Sequence, residues 1–204
     1  MMKKIFLAVL FVVGMVTANA QTKYFYFTID MQKPLANTSW IDDFSGHGGR
    51  LGYRVFINDK ISAGLDLGWM SFDEYKPTET IEVTNGAITT DYFNYIYSYS
   101  AAASAQYNFK VGEKEQFFPY VGLGLGVSRH EYVQYYNIYT DGDKSWGFLA
   151  RPEAGILVRF GARKALGAMA AVHYDFSTNK TDLYRYDNFS SVGFQIGVML
   201  MSMY

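Results

Sequence analysis

The chain contains no cysteine, which excludes both a disulfide framework and anchoring through a lipid-modified cysteine. Beyond the first twenty residues it has no run of 18 apolar residues, so that part offers no transmembrane helix. It has no excess of positive charge. Its 18 Lys and Arg stand against 19 Asp and Glu, a balance that argues against nucleic acid as a partner. A phosphate-cradling loop is missing too. FPYVGLGLGVSRH spaces Gly122, Gly124 and Gly126 in strict alternation and matches neither G-x-G-x-x-G nor G-x-x-x-x-G-K-[ST]. The residues after the last of these glycines, VSRHEYVQYYNIY, have no period of 3.6 and cannot start the helix whose amides would face phosphate.

What is present begins with MMKKIFLAVLFVVGMVTANA. Two lysines, Lys3 and Lys4, precede an apolar run over 5–16 and the small-residue triplet Ala18-Asn19-Ala20, the three-part form of a cleaved secretory signal. Residues 1–20 are therefore expected to be removed, leaving 21–204 as one domain with 16 basic and 19 acidic residues and a net charge near -3. That domain is rich in aromatics. With 18 Tyr, 16 Phe and 3 Trp in the whole chain, the composition suits half-buried strands better than helices.

Period-two alternation recurs along the whole domain. In 23–31, Phe25, Phe27, Ile29 and Met31 share one face, and Tyr24, Tyr26, Thr28 and Asp30 the other. Leu51, Tyr53, Val55 and Ile57 oppose Arg50, Gly52 and Arg54; after the turn at 58–60, Ile61, Ala63, Leu65, Leu67 and Trp69 oppose Ser62, Gly64, Asp66 and Gly68. Further strands are expected over 92–109, 118–130, 146–160, 165–176 and 191–204, about eight in all. Connections alternate between short turns and long loops. Asn85-Gly86, within the polar stretch 73–90, predicts that the flanking strands extend into a water-exposed hairpin, and 134–145 and 178–187 read as further long connections.

Sidedness decides what surrounds such a barrel. A soluble lipocalin-like barrel turns greasy residues inward and polar ones to water. Here one face of nearly every strand is continuously aliphatic or aromatic. The other collects Arg50, Arg54, Asp66, Arg151, Glu153, Arg159, His173 and Asp175 among glycines and serines. Charges inside and Leu, Val, Ile, Phe and Tyr outside fit a barrel whose solvent is lipid. The arginines are expected to pair with Asp66, Glu153 and Asp175 across the lumen, because unpaired buried charge is costly. Glycine at the inward positions leaves room for the large side chains of other strands.

PYVGLGLGV, the RPEAGI segment and a final strand VGFQIGVMLMSMY ending in an aromatic residue resemble the bacterial outer-membrane β-barrel domain family, the small OmpA-like and OmpX-like barrels. The resemblance implies an all-β, eight-stranded antiparallel up-and-down transmembrane β-barrel with short periplasmic turns and long extracellular loops. It also implies outer-membrane lipid as the surrounding partner and a bacterial outer-membrane location. Tyr204 would be the terminal aromatic read by the barrel-assembly machinery during insertion. The domain stops at the barrel, so tethering to the cell wall through a periplasmic domain is not expected.

Such an object admits three functional readings. About eight strands leave no open channel, so the polar lumen is expected to be plugged, with a narrow ion-conducting pore as the alternative. Ser128 with His130, and His173 with Asp175, supply the residue types of a nucleophile, base and orienter, as in barrels that act on the acyl chains of lipid A, but their order and spacing match no acyl-transfer pattern. No enzyme is therefore expected. Asp141-Gly142-Asp143 lacks the acidic twelfth position of an EF-hand and reads as a tight turn, and no metal or cofactor is expected. The long connections, rich in Tyr, Asn, Thr and Asp, are where an extracellular protein or surface partner would be met, in an adhesion-type role.

Overall fold

A computed structural model describes residues 22–83, 86–109, 111, 116–136, 138–160 and 165–203. Eight strands succeed one another: β1 (Thr22–Pro34), β2 (Ser45–Phe56), β3 (Ile61–Val83), β4 (Gly86–Asn108), β5 (Phe117–Tyr136), β6 (Tyr139–Arg159), β7 (Leu166–Ser177) and β8 (Phe189–Met203). Each pairs antiparallel with its neighbours in sequence, and β1 closes on β8, from Thr22 opposite Met203 to Pro34 opposite Ser191. Closure leaves no strand edge within the lipid belt, where an unpaired amide would have no water to bond. Among the described residues there is no helix.

The faces fall as the alternation predicts. Leu123, Leu125 and Val198 are 47%, 45% and 51% exposed on the outer surface, while Arg54, Asp66 and Glu153 are 0%, 5% and 8% exposed in the lumen. The outward aliphatic belt is the reverse of what a soluble lipocalin-like barrel requires. Trp69, Tyr99 and Trp146 are exposed in one register across β3 to β6, the kind of aromatic row that suits the upper membrane interface. The inward glycines make room for specific neighbours: a Cβ on Gly193 would lie 2.4 Å from the His173 imidazole, and one on Gly52 would lie 2.4 Å from the Tyr26 ring.

Three expectations change. Residues 134–145 are not a loop: β5 continues to Tyr136, β6 starts at Tyr139, and Tyr136 opposes Tyr139. Asp141-Gly142-Asp143 is accordingly strand, paired with Gln134, Val133 and Tyr132, and not a tight turn. β3 and β4 likewise run unbroken into the hairpin expected above the membrane, with one irregularity between Lys76 and Glu79. Aromatic and β-branched residues kept extended by cross-strand partners prolong a ladder well past the point where lipid stops demanding it. The signal segment 1–20, Asn85, the turn 161–163 and Tyr204 lie outside the described residues.

The third change concerns the lumen, which is not polar throughout. Near the periplasmic turns Tyr24, Tyr26, Phe118, Tyr120, Leu157, Met169, Ala171, Met199 and Met201 pack into one apolar cluster, with Phe56 against it. At the extracellular end a second forms from Trp40, Ile41, Met70, Phe72, Ile96, Tyr132 and Phe189, with Tyr184 and Tyr186 leaning on it. The charges sit between the two. Trp40, Ile41, Tyr184 and Tyr186 belong to the loops 35–44 and 178–188, which carry no periodicity to reveal that they fold inward.

Candidate functional site

The central layer draws side chains from every strand except β5. On β2, Arg50 and Arg54 are four residues apart and point the same way, a consequence of the two-residue side-chain period. Arg50 Nη2 donates to Asp30 Oδ2 of β1 at 2.9 Å, and its Nη1 lies 3.5 Å from Glu153 Oε2 of β6. Arg54 Nη2 donates to Asp66 Oδ2 of β3 at 3.0 Å and lies 3.5 Å from Glu153 Oε1. Glu153 also accepts from Gln106 Nε2 of β4 at 2.7 Å and Gln195 Nε2 of β8 at 3.3 Å. Asp66 accepts from Tyr26 at 2.5 Å and Ser104 at 2.6 Å.

On the far wall Arg151 grips Asp175 of β7 with both Nε and Nη2 at 2.5 Å. His173 bridges the two halves, with Nε2 2.9 Å from Asp30 Oδ1 and Nδ1 3.1 Å from Asp175 Oδ1. Arg50 Nη2 also lies 3.4 Å from His173 Nε2, so the ring is enclosed by two carboxylates and a guanidinium. Four carboxylates, Asp30, Asp66, Glu153 and Asp175, are met by the guanidinium groups of Arg50, Arg54 and Arg151 and by the His173 ring. Every charge in the layer has a partner in a place where isolation would cost several kcal/mol.

Seven of the eight residues grouped from sequence are thus in one network. Arg159 is buried in the lumen but six residues from Glu153 along β6, about 20 Å at roughly 3.3 Å per residue, so it belongs to the periplasmic mouth. The network also uses Asp30, Gln106 and Gln195. Alternation already put these on inward faces; only the closure of β1 on β8 sets Asp30 directly opposite Gln195.

The acyl-transfer candidates are not brought together. Ser128 Oγ donates to Asn179 Oδ1 at 2.5 Å, and Asn179 in turn donates to the Ser128 and Ser145 carbonyls, which ties β5 and β6 to the β7–β8 loop. The His130 ring stands edge-on to Phe189 at 4.9 Å. His173 and Asp175 are held in the ionic layer. Ser128 spends its hydroxyl proton on Asn179 and not on a histidine, the bond that the reaction needs first. Among the described residues no group of three or more His, Asp or Glu is placed to hold a metal ion.

Above the rim, β3 to β6 continue as a projecting sheet. From Trp69 to Val83 is 14 residues, about 45 Å of strand at roughly 3.3 Å per residue. β2 pairs with β3 only as far as Ser71, so among the described residues the rest of β3 has no strand on that side. The outward face of the sheet carries Tyr75, Phe93, Tyr95, Tyr97, Tyr99 and Tyr135.

A closed eight-stranded barrel with an apolar belt and an ionic interior defines a bacterial integral outer-membrane protein. The chain matches the family described as outer membrane protein beta-barrel domain over residues 5–201 and belongs to it. Among solved structures it is similar to Neisserial surface protein A (TM-score 0.55, 14% identity, 89% of this chain and 97% of that one). It is also similar to OprG from Pseudomonas aeruginosa (TM-score 0.49, 14% identity, 91% and 97%). Ail, the attachment invasion locus protein of Yersinia pestis, gives a TM-score of 0.49 at 12% identity over 89% and 97%. No curated protein matches. At these identities the likeness is one of fold.

Proposed function

We propose that the barrel is a closed anchor and that its activity is surface interaction, of adhesion type, through the sheet that β3 to β6 raise above the membrane. The observation that carries this reading is the length of those strands. Spanning the bilayer takes about 9–11 residues per strand, and β3 and β4 have 23 each. The packing of the lumen supports it: the ionic layer lies between two apolar clusters, one toward each end of the barrel. The free edge of β3 above Ser71 offers backbone groups to which an extracellular protein can add a strand.

The test is a chain in which 73–95 and 131–144 are each replaced by an Asn-Gly turn, joining the opposed pairs Phe72 and Ile96, and His130 and Ser145. It should keep heat-modifiable gel migration, and proteoliposomes bearing it should lose binding to the cells or matrix that the full chain binds. Undiminished binding overturns the reading.

A further inference from the structure

The outward aromatics of the projecting sheet are more than an interfacial girdle. DYFNYIYSYS sets Phe93, Tyr95, Tyr97 and Tyr99 at every second position of β4, and β3 and β5 add Tyr75 and Tyr135 beside Phe93. Tyr99 opposes Arg129 at the level of Trp146. Phe93 lies six residues higher, about 20 Å along the strand and about 15 Å in height at a tilt near 40°. The headgroup layer on one side of a bilayer is only about 5–8 Å deep. The upper half of the stripe therefore stands clear of it, where nothing about lipid calls for aromatic rings.

The rings form an ordered surface. Tyr95 and Tyr97 stack with centroids 5.6 Å apart and planes 13° apart, Tyr135 meets Tyr95 edge-on at 5.4 Å, and Tyr75 lies against Phe93 at 5.2 Å. Five of the six are tyrosines, whose flat apolar faces and hydroxyl edges match a sugar ring, with its apolar C–H face and hydroxyl rim, better than they match an acyl chain. The nearby charges lie at the edges of the aromatic face. Arg129 and Lys144 both turn to Glu131, at 3.5 and 2.9 Å, and Asp91 accepts from Tyr75 at 3.3 Å. The two cations stand at the foot of the stripe, and the described charges flanking its upper part, Asp73 opposite Tyr95 and Asp91 against Tyr75, are carboxylates that would repel phosphate or sulfate.

We propose that this face is a docking platform for an uncharged polysaccharide rooted in the same leaflet, the sugar chain of the outer membrane's own glycolipid. The stripe starts at the lipid rim and climbs along the strands, the course taken by a chain that emerges from the headgroups beside the barrel. This names a partner for the surface-interaction reading and rests on it.

The experiment places the folded protein in nanodiscs made with a glycolipid bearing a long neutral polysaccharide, or with the same glycolipid cut back to its lipid anchor. Tyrosine nitration by tetranitromethane is monitored by mass spectrometry. With the polysaccharide present, Tyr75, Tyr95, Tyr97 and Tyr135 should react at least about fivefold more slowly, the factor expected once the local sugar concentration exceeds its Kd about fourfold. Tyr139, exposed on the opposite face of the sheet, should not change. In Tyr95→Ser/Tyr97→Ser, heat-modifiable migration should persist and the protection of Tyr75 and Tyr135 should vanish.

Equal rates in the two lipids overturn the proposal. Equal protection in both overturns it as well, since headgroups alone would then cover the face. Protection by free polysaccharide as strong as by the rooted chain overturns the choice of source. If the tyrosines prove unprotected while proteoliposomes still bind other surfaces through the hairpins, this inference fails and the surface-interaction reading stands. If the tyrosines are protected while hairpin truncation leaves surface binding intact, that broader reading fails instead.

Discussion

Glu153 is the residue on which the ionic layer turns, since it faces both Arg50 and Arg54 and accepts from Gln106 and Gln195. Glu153→Gln keeps the shape but leaves two guanidinium groups short of a counter-charge, and breaking a buried pair in this way costs about 3–5 kcal/mol. Denaturant unfolding in liposomes should show a loss of that order, and an unchanged midpoint would mean that water or other groups satisfy the arginines. Gly193→Val is the steric counterpart. Its side chain would meet the His173 ring 2.4 Å from the new Cβ, and overpacking of this kind costs about 1–3 kcal/mol in the same measurement. Ser128→Ala should remove one hydrogen bond to Asn179, worth about 1 kcal/mol, and leave the lipid A profile untouched. A changed profile would restore the acyl-transfer reading. The inward direction of Glu153, His173 and Ser128 was legible in the sequence, because alternation fixes direction; their partners were not, because a partner is chosen by ring closure and not by the strand itself.

At the scale of the strands, the two faces should answer differently to the same charge. Leu125→Arg or Val198→Arg puts a guanidinium into lipid, a change costing about 2–4 kcal/mol near the bilayer midplane. Equilibrium unfolding in liposomes checks it, and stability within about 0.5 kcal/mol of the parent would mean that those positions do not face lipid. The expected order of short turns and long connections held only in part, since just two residues separate β3 from β4 and β5 from β6, whereas the eight strands themselves were readable from alternation and turn residues. Their upper ends were not. Gln134, Asp141, Gly142 and Asp143 have a composition that reads as loop, yet cross-strand pairing carries them as strand, since β5 and β6 hold each other extended wherever residues remain opposed.

For the whole molecule, an ionic layer between two apolar clusters predicts an electrically quiet protein. In planar bilayers it should give no steady conductance steps, and 1 M salt should barely change its unfolding midpoint, because buried pairs are little screened. Regular single-channel steps would favour the narrow-pore alternative. Trp40, Ile41, Tyr184 and Tyr186 are the part of the outer apolar cluster that no reading of the chain foresaw. They lie in connections, where polar composition suggests exposure, and they turn inward because the barrel mouth offers them an apolar floor of Phe72, Ile96 and Tyr132.

The amino-acid sequence alone determined that this chain is a barrel, that lipid surrounds it and that charge fills its middle, because a strand's two faces are set residue by residue by the period of the backbone. Tertiary structure alone decided which charges meet, where apolar side chains gather in the lumen and how far β3 to β6 extend beyond the other strands. These depend on residues far apart in the chain being brought opposite one another by a closed ring of hydrogen bonds, and no local pattern encodes that register.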